Sequence, residues 1–272
     1  MELNIRRALF EGYRALIGSL RFGSRGTIIW DSWDMWLLEI IILPLAQISF
    51  FEILATYANY SPAMVQYVVI GNAIQTMSFS SVFAVANITS SDKWQGTLPS
   101  ILLTPASRAS IIMGRALYQI IMSTLISTTG LLYAYFLFGV NFSSANYLFL
   151  AVSLLLTSIS MISFGLLIST IGLYMRTAMI VANVFLFIGL LVCGVNFPIS
   201  ELPVWLRPLS YVIPLTYGLD AVRLSIAGAG FYTVGLYLLY LVIDGLAVFS
   251  TALLLTKTFE RLARKSGRLE IY

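Results

Sequence analysis

The chain has 272 residues, of which 59% are hydrophobic and only 10% charged; it carries a formal net charge of +4, one cysteine and no histidine. Soluble globular chains carry about 25% charged residues, so the composition points to a polypeptide immersed in lipid. The lack of His and of any Cys pair excludes the usual zinc centres, Cys/His nucleophiles and intrachain disulfides. The basic balance needs no nucleic acid, because anionic lipid headgroups attract Lys and Arg beside a membrane.

Crossing a hydrocarbon core about 30 Å thick takes roughly 20 apolar residues, each adding about 1.5 Å of helix. Six tracts qualify: Trp36–Leu54, Met64–Val85, Ile111–Phe138, Tyr147–Leu173, Ala178–Val195 and Val234–Thr256. They predict an all-α integral membrane fold, with one membrane domain over residues 1–272. Ahead of the first tract, within residues 1–30, Ile5, Leu9, Leu16 and Leu20 share a helical face, while Arg6, Arg7, Glu11, Arg14 and Arg21 mostly lie elsewhere. This is the pattern of an amphipathic helix lying on the membrane surface. Gly23, Ser24 and Gly26 break it, Trp30, Trp33 and Trp36 suit the headgroup belt, and no cleavable leader is predicted.

Short connections around residues 58–62 and 140–146 lack Lys and Arg. Residues 90–108, "SSDKWQGTLPSILLTPASR", form a polar interruption punctuated by Pro99 and Pro105. Gly96 permits a turn, Thr97 caps a short helix with Leu98 and Pro99 in its first turn, and Ile101, Leu102 and Leu103 give it an apolar side before Pro105 ends it. The expected result is a helix lying flat on the membrane surface. Residues 196–233 hold Pro198, Pro203, Pro208 and Pro214 but remain apolar, with Leu202, Trp205, Leu206 and Leu209. They predict two short re-entrant helices packed against the bundle, because irregular backbone survives in a bilayer only when buried in protein or facing a wet cavity. Residues 257–272 form a basic tail.

Fourteen of the sixteen basic residues fall on one side of this topology, from Arg6 through Lys93, Arg108, Arg115 and Arg176 to the tail; Arg207 and Arg223 are the exceptions. Cytoplasmic loops carry the excess of Lys and Arg, so the expected location is the cytoplasmic membrane, with both termini cytoplasmic.

The phosphate-cradling pattern G-x-x-x-x-G-K-[ST] is absent, so any ATP used is expected on another chain. No aspartate-rich cluster suited to magnesium is present either. Ionisable residues in or near the tracts are Glu39, Glu52 and Asp244, with Asp220 and Arg223 in the re-entrant region; charges at such depth are costly and flag function. The three carboxylates are too scattered for a strong proton relay, which keeps an ion-coupled secondary transporter as an alternative only. Asp220 and Arg223, three apart, either pair to lock the segment or meet substrate. Candidates for a substrate pathway are Phe50, Phe51 and Tyr57, then Asn72, Gln75 and Ser78 on one helical face, then Asn183, Phe185 and Phe187. The polar trio serves either a cavity or interhelical hydrogen bonds.

The run Asp92, Lys93, Gly96, Thr97, Leu98, Leu102, Leu103, Thr104, Pro105, Ser107, Arg108, Gly114, Arg115 resembles the acid-basic-x-x-Gly-Thr-Leu … Leu-Leu-Thr-Pro … Ser-Arg … Gly-Lys/Arg signature of ABC-2 type exporter permeases. The segment "FPISELPVWLRPLSYVIPLTYGLDAVR", residues 197–223, resembles that family's stretch before the last span. The resemblance implies a type V exporter: two permease subunits, here expected as a homodimer, engaged by two copies of a separate ATPase that bears the ATP and magnesium. It further implies that Asp92, Lys93, Gly96, Thr97, Leu98, Leu102 and Leu103 form the coupling element gripped by the ATPase. Pro214, Thr216, Tyr217, Asp220 and Arg223 would belong to an outer re-entrant gate. Pro99 stands where the family commonly has a glutamate, so apolar packing of Leu98, Leu102 and Leu103 is expected to hold the coupling element. The form "PLTYGLDAVR" favours an amphiphilic drug, lipid or peptide as cargo over lipid-linked polysaccharide. A scaffold or receptor without transport would need neither an ATPase nor the polar groups of the second tract.

Overall fold

A computed structural model describes residues 37–94, 96, 108–172 and 178–266. Among these residues the structure is helical, with no strand. Helix α1 (Leu43–Tyr57) is preceded by a π-helical turn, Leu38–Ile42. It is followed by α2 (Pro62–Trp94), α3 (Arg108–Phe136), α4 (Tyr147–Gly172), α5 (Ala178–Val192), a 3-10 turn (Ile199–Glu201), α6 (Arg207–Ser210), α7 (Pro214–Ile226) and α8 (Phe231–Ser266).

Five helical stretches are long and apolar enough to cross a membrane: Leu38–Tyr57, Pro62–Ile88, Gly114–Phe136, Tyr147–Thr170 and Phe231–Thr256. The fifth expected tract differs. Its helix α5 has 15 residues, about 22 Å at 1.5 Å per residue, and ends at Val192. Gly194 follows with φ +75, a left-handed conformation that opens the chain out of the helix, and Pro198 lies just beyond.

The layering is decided by burial. In α2, 78% of the apolar window is buried within the protein and in α4 61%, against 17% in α1 and in α8. Helices α2 and α4 are the centre, and α1 and α8 present their flanks outward. Three consecutive residues of α2 show why it is central: Gly71 faces α7 and the chain after α5, Asn72 faces α1, and Ala73 abuts Gly130 of α3. Helix α4 is approached as closely. Gly218 of α7 lies against Thr157 and Gly245 of α8 against Ser160, where a Cβ would come within 2.4–2.5 Å of a hydroxyl. Small residues let backbones meet in this way, which drives helix association where lipid supplies no hydrophobic force.

Element boundaries depart from the sequence expectation in three further places. Residues 90–94, including Asp92 and Lys93, are the last turn of α2, and Arg108 is already the first residue of α3. The re-entrant region is shorter than 196–233, since Phe231 opens α8, and it holds a 3-10 turn and one helical turn besides α7. Ten of the sixteen residues of the expected tail, 257–266, belong to α8, which runs to Ser266 because its Lys- and Arg-rich sequence has high helix propensity and suits the negative end of the helix dipole.

Candidate functional site at the broken end of the fifth helix

Beyond Val192 the backbone of residues 193–213 forms little regular structure, so many of its carbonyls need donors from elsewhere. Side chains supply them. Arg223, from α7, donates from Nη1 to Gly194 O (2.9 Å) and from Nη2 to Val195 O (3.1 Å) and Tyr67 O (3.0 Å). Its guanidinium carbon stands 3.4 Å from the centroid of the Tyr67 ring. Three elements, α2, α7 and the end of α5, are thereby tied through one cation. Arg207 repeats the device further along, with Nε to Leu202 O (3.0 Å) and Nη2 to Ser200 O (2.6 Å). Thr216 donates to Ser210 O (2.6 Å) and Tyr217 to Tyr211 O (3.1 Å), holding α7 against the turn that precedes it.

Arg223 gives its hydrogen bonds to carbonyls and its face to a ring, while Asp220, three residues earlier on α7, acts on it electrostatically and not through a hydrogen bond. The arginine holds the segment by capping backbone that no helix satisfies. Pro214 takes the first position of α7, where its missing N–H costs nothing.

Gly71 makes the approach possible. A Cβ there would lie 2.0 Å from Val195 O and 2.7 Å from Arg223 Nη2. The next residue, Asn72, is fully buried and fully engaged: Nδ2 donates to Val68 O (2.9 Å) and to Asn196 Oδ1 (2.8 Å), and Oδ1 accepts from Gln47 Nε2 (3.4 Å). These bonds tie Asn72 to α1 and to the chain after α5. Asn196 in turn lines a cleft of about 290 Å³ between α1, the start of α2 and the end of α5, together with Phe51, Ala55, Tyr60, Val68 and Leu191.

Phe51 is thus the pathway candidate that lines this cleft, and the others do not converge on it. Gln75 and Ser78 are fully buried, and the Gln75 amide and the Ser78 hydroxyl have no hydrogen-bond partner. Phe50 (63% exposed) and Phe187 (64% exposed) point away from the core. Asn183 donates to Met179 O of its own helix at 3.0 Å. Of the coupling residues, Gly96 is exposed and left-handed, with φ +64, as the turn ahead of the expected cap requires. Asp92 and Lys93 end α2, and Thr97, Leu98, Leu102 and Leu103 lie outside the described residues, as does the N-terminal segment 1–30.

Sequence reasoning missed Tyr67, Gly71, Gly194 and Asn196, and also a polar chain on the far side of α2. There Gln119 Nε2 donates to Ser80 Oγ (2.7 Å), which donates to Glu39 Oε1 (3.0 Å), linking α3, α2 and the π-helical turn. The Tyr133 hydroxyl reaches a carbonyl of that same turn, Ile41 O, at 3.2 Å. A glycine directly after an apolar run is a helix-end signal, and it would have placed the break at Gly194.

Residues 28–227 match the family model described as ABC-2 type transporter. The chain belongs to the ABC-2 type transporter family. Five crossing helices make it a multi-pass membrane protein. It is 26% identical over 166 residues to proteins named "Probable multidrug ABC transporter permease YbhR" from Escherichia coli strain K12 and from Escherichia coli O157:H7. Each alignment covers 60% of this chain and 45% of the relative, so the chain spans less than half the length of the curated relatives it matches.

Proposed function

We propose that the chain is the membrane-spanning permease subunit of an ATP-driven exporter. It would work as a homodimer engaged by two copies of a separate ATPase that carries the ATP and magnesium. The observation that carries the reading is the continuity of α2. This single helix has the coupling residues Asp92 and Lys93 in its last turn and, about 30 Å away by helical rise, Tyr67, Gly71 and Asn72 at the arginine clamp. Force applied at residues 92–103 by an ATPase would reach the clamp through one rigid element. In this reading α5 completes a sixth crossing together with the clamped backbone after it, both termini are cytoplasmic, and residues 214–223 gate the outer end. The word "multidrug" in the relatives' names supports an amphiphilic drug, lipid or peptide-like cargo.

Co-expression with a candidate ABC ATPase, purification and measurement of ATP hydrolysis in lipid test the assembly. A stable complex whose hydrolysis responds to substrate is expected, and failure to form any complex overturns the reading. Leu102→Glu is expected to uncouple hydrolysis from transport while the membrane domain stays folded; normal transport by that variant would refute the assignment of the coupling element. Arg223→Ala should impair export or assembly without weakening ATPase docking, and loss of docking would move that residue's role elsewhere.

A further inference from the structure

Beside the clamp, the turn after α6, α7 and α8 place a ladder of tyrosines near an acid, Asp244. The rings of Tyr211 and Tyr217 have centroids 6.3 Å apart, and those of Tyr217 and Tyr240 5.7 Å. Tyr240 and Asp244 lie four residues apart on α8, and so on one helical face. Asp244 is close enough to Tyr217 to act on its phenol electrostatically. The Oδ2 atom of Asp244 is buried and has no hydrogen-bond partner. Asp244 is the fourteenth of the 26 residues of the span Phe231–Thr256, which puts it at the middle of the hydrocarbon. An acid at that depth is costly and requires a counterpart. The clamp arginine is engaged elsewhere, since its hydrogen bonds go to the carbonyls of Gly194, Tyr67 and Val195.

We infer that Asp244, Tyr217 and Tyr240 form a binding site for a hydrophobic organic cation, with the carboxylate taking the charge and the ring faces taking the cation's shell. Electron-rich ring faces attract weakly hydrated cations within about 6 Å, and most strongly when water is excluded. The site is open to such a ligand, since Tyr211 is 52% and Tyr240 44% exposed. Its depth selects against a lipid headgroup, which stays at the interface, and for a cationic amphiphile that enters the core. This inference rests on the export reading and gives its cargo a chemical class.

The test uses the permease with its ATPase in lipid nanodiscs and two probes of like size and opposite charge, tetraphenylphosphonium and tetraphenylborate, with protein-free discs as background. Tetraphenylphosphonium is expected to bind the complex saturably, and tetraphenylborate at least tenfold more weakly. Asp244→Asn should weaken the cation at least tenfold and abolish the charge preference. Tyr240→Leu should weaken it threefold to tenfold, while Tyr240→Phe, which keeps the ring, should bind as the parent does. Tyr240 is exposed, so the leucine variant remains informative should Asp244→Asn fold poorly. Equal affinity for the two probes, or an unchanged cation affinity in Asp244→Asn, overturns the site. So does a smaller assembly in Asp244→Asn, because it would place the acid between two copies of the chain. Co-purification of the ATPase is read on the same samples, which separates failure of this site from failure of the export assembly.

Discussion

Replacing Gly71 by alanine sets two physical effects of opposite sign against each other. Gly to Ala inside a helix ordinarily gains about 1 kcal/mol, by removing backbone freedom from the unfolded chain. At residue 71 the new methyl would meet Val195 O at 2.0 Å, where real Cβ contacts do not fall below 3.0 Å, and Arg223 Nη2 at 2.7 Å. The chain after α5 must therefore retreat by about 1 Å. Overpacking of this kind costs about 1–3 kcal/mol, and the charged hydrogen bond from Arg223 to Val195 O, of the class worth about 1.5–3 kcal/mol, is stretched or lost. The net expectation is destabilisation by about 2–4 kcal/mol, or roughly 5–15 °C in Tm using the scaling for soluble domains of comparable size. Gly235→Ala is the control: its Cβ meets nothing within 4 Å, so it should be neutral or stabilising by up to about 1 kcal/mol. The assay is built into the chain. Cys193 is the sole cysteine, is 1% exposed and sits next to Gly194. A thiol-reactive fluorophore added during heating of the purified protein therefore reports the opening of this junction. If Gly71→Ala labels no earlier than the parent, while Gly235→Ala behaves as expected, the close approach of α2 to the clamp is wrong.

Three further outcomes follow from other contacts. In a double-mutant cycle, Asn72→Leu and Asn196→Ala should couple by about 0.6–1.7 kcal/mol, measured by unfolding in mixed detergent, because each removes one end of the 2.8 Å bond. Gly218→Ala should destabilise through a contact of 2.4 Å with the Thr157 hydroxyl, and Thr157→Ala should restore much of the loss; absence of rescue would show that the seam between α4 and α7 has another cause. Ser80→Ala should cost about 1–3 kcal/mol, since it strips both Gln119 and Glu39 of their shared partner. That loss would be read as a lower Tm, with the helix content by circular dichroism unchanged at low temperature.

Much of this architecture was legible in the sequence because lipid makes one rule dominate: apolar tracts of sufficient length must be helices that satisfy their own backbone. Five tracts obeyed it. The fifth in chain order, Ala178–Val195, fell short, because hydropathy counts apolar side chains and is blind to the left-handed glycine at 194, and α5 ends three residues before the apolar run does. The same blindness hid the site. Gly71 and Tyr67 stand in no recognisable pattern along the chain, and their roles arise because folding brings residues 67 and 71 to residues 194, 195 and 223. Asp220 and Arg223 invited pairing by their spacing, yet spacing along a helix fixes which residues share a face and not which one a neighbouring carbonyl claims.

The charge pattern nevertheless held a pointer to the clamp. Arg207 and Arg223 are the two basic residues that break the asymmetry of Lys and Arg in the expected topology, and the guanidinium groups of both close broken backbone. Both facts have one cause. In the proposed six-span topology, a helix of about 22 Å would leave part of the bilayer depth to irregular chain, whose carbonyls would be shielded from water and have no amide partner in register. An arginine presents five N–H groups in a planar fork, stays charged under nearly all conditions and is weakly hydrated, so one residue can satisfy several carbonyls at once. A lysine would bring a strongly hydrated point charge with three hydrogens, and Arg223→Lys should therefore keep the charge and still loosen the junction around Cys193. In that topology the cation would be tolerated away from the basic face because the carbonyls it serves would otherwise each be left unpaired at depth, at a cost of about 1–3 kcal/mol apiece.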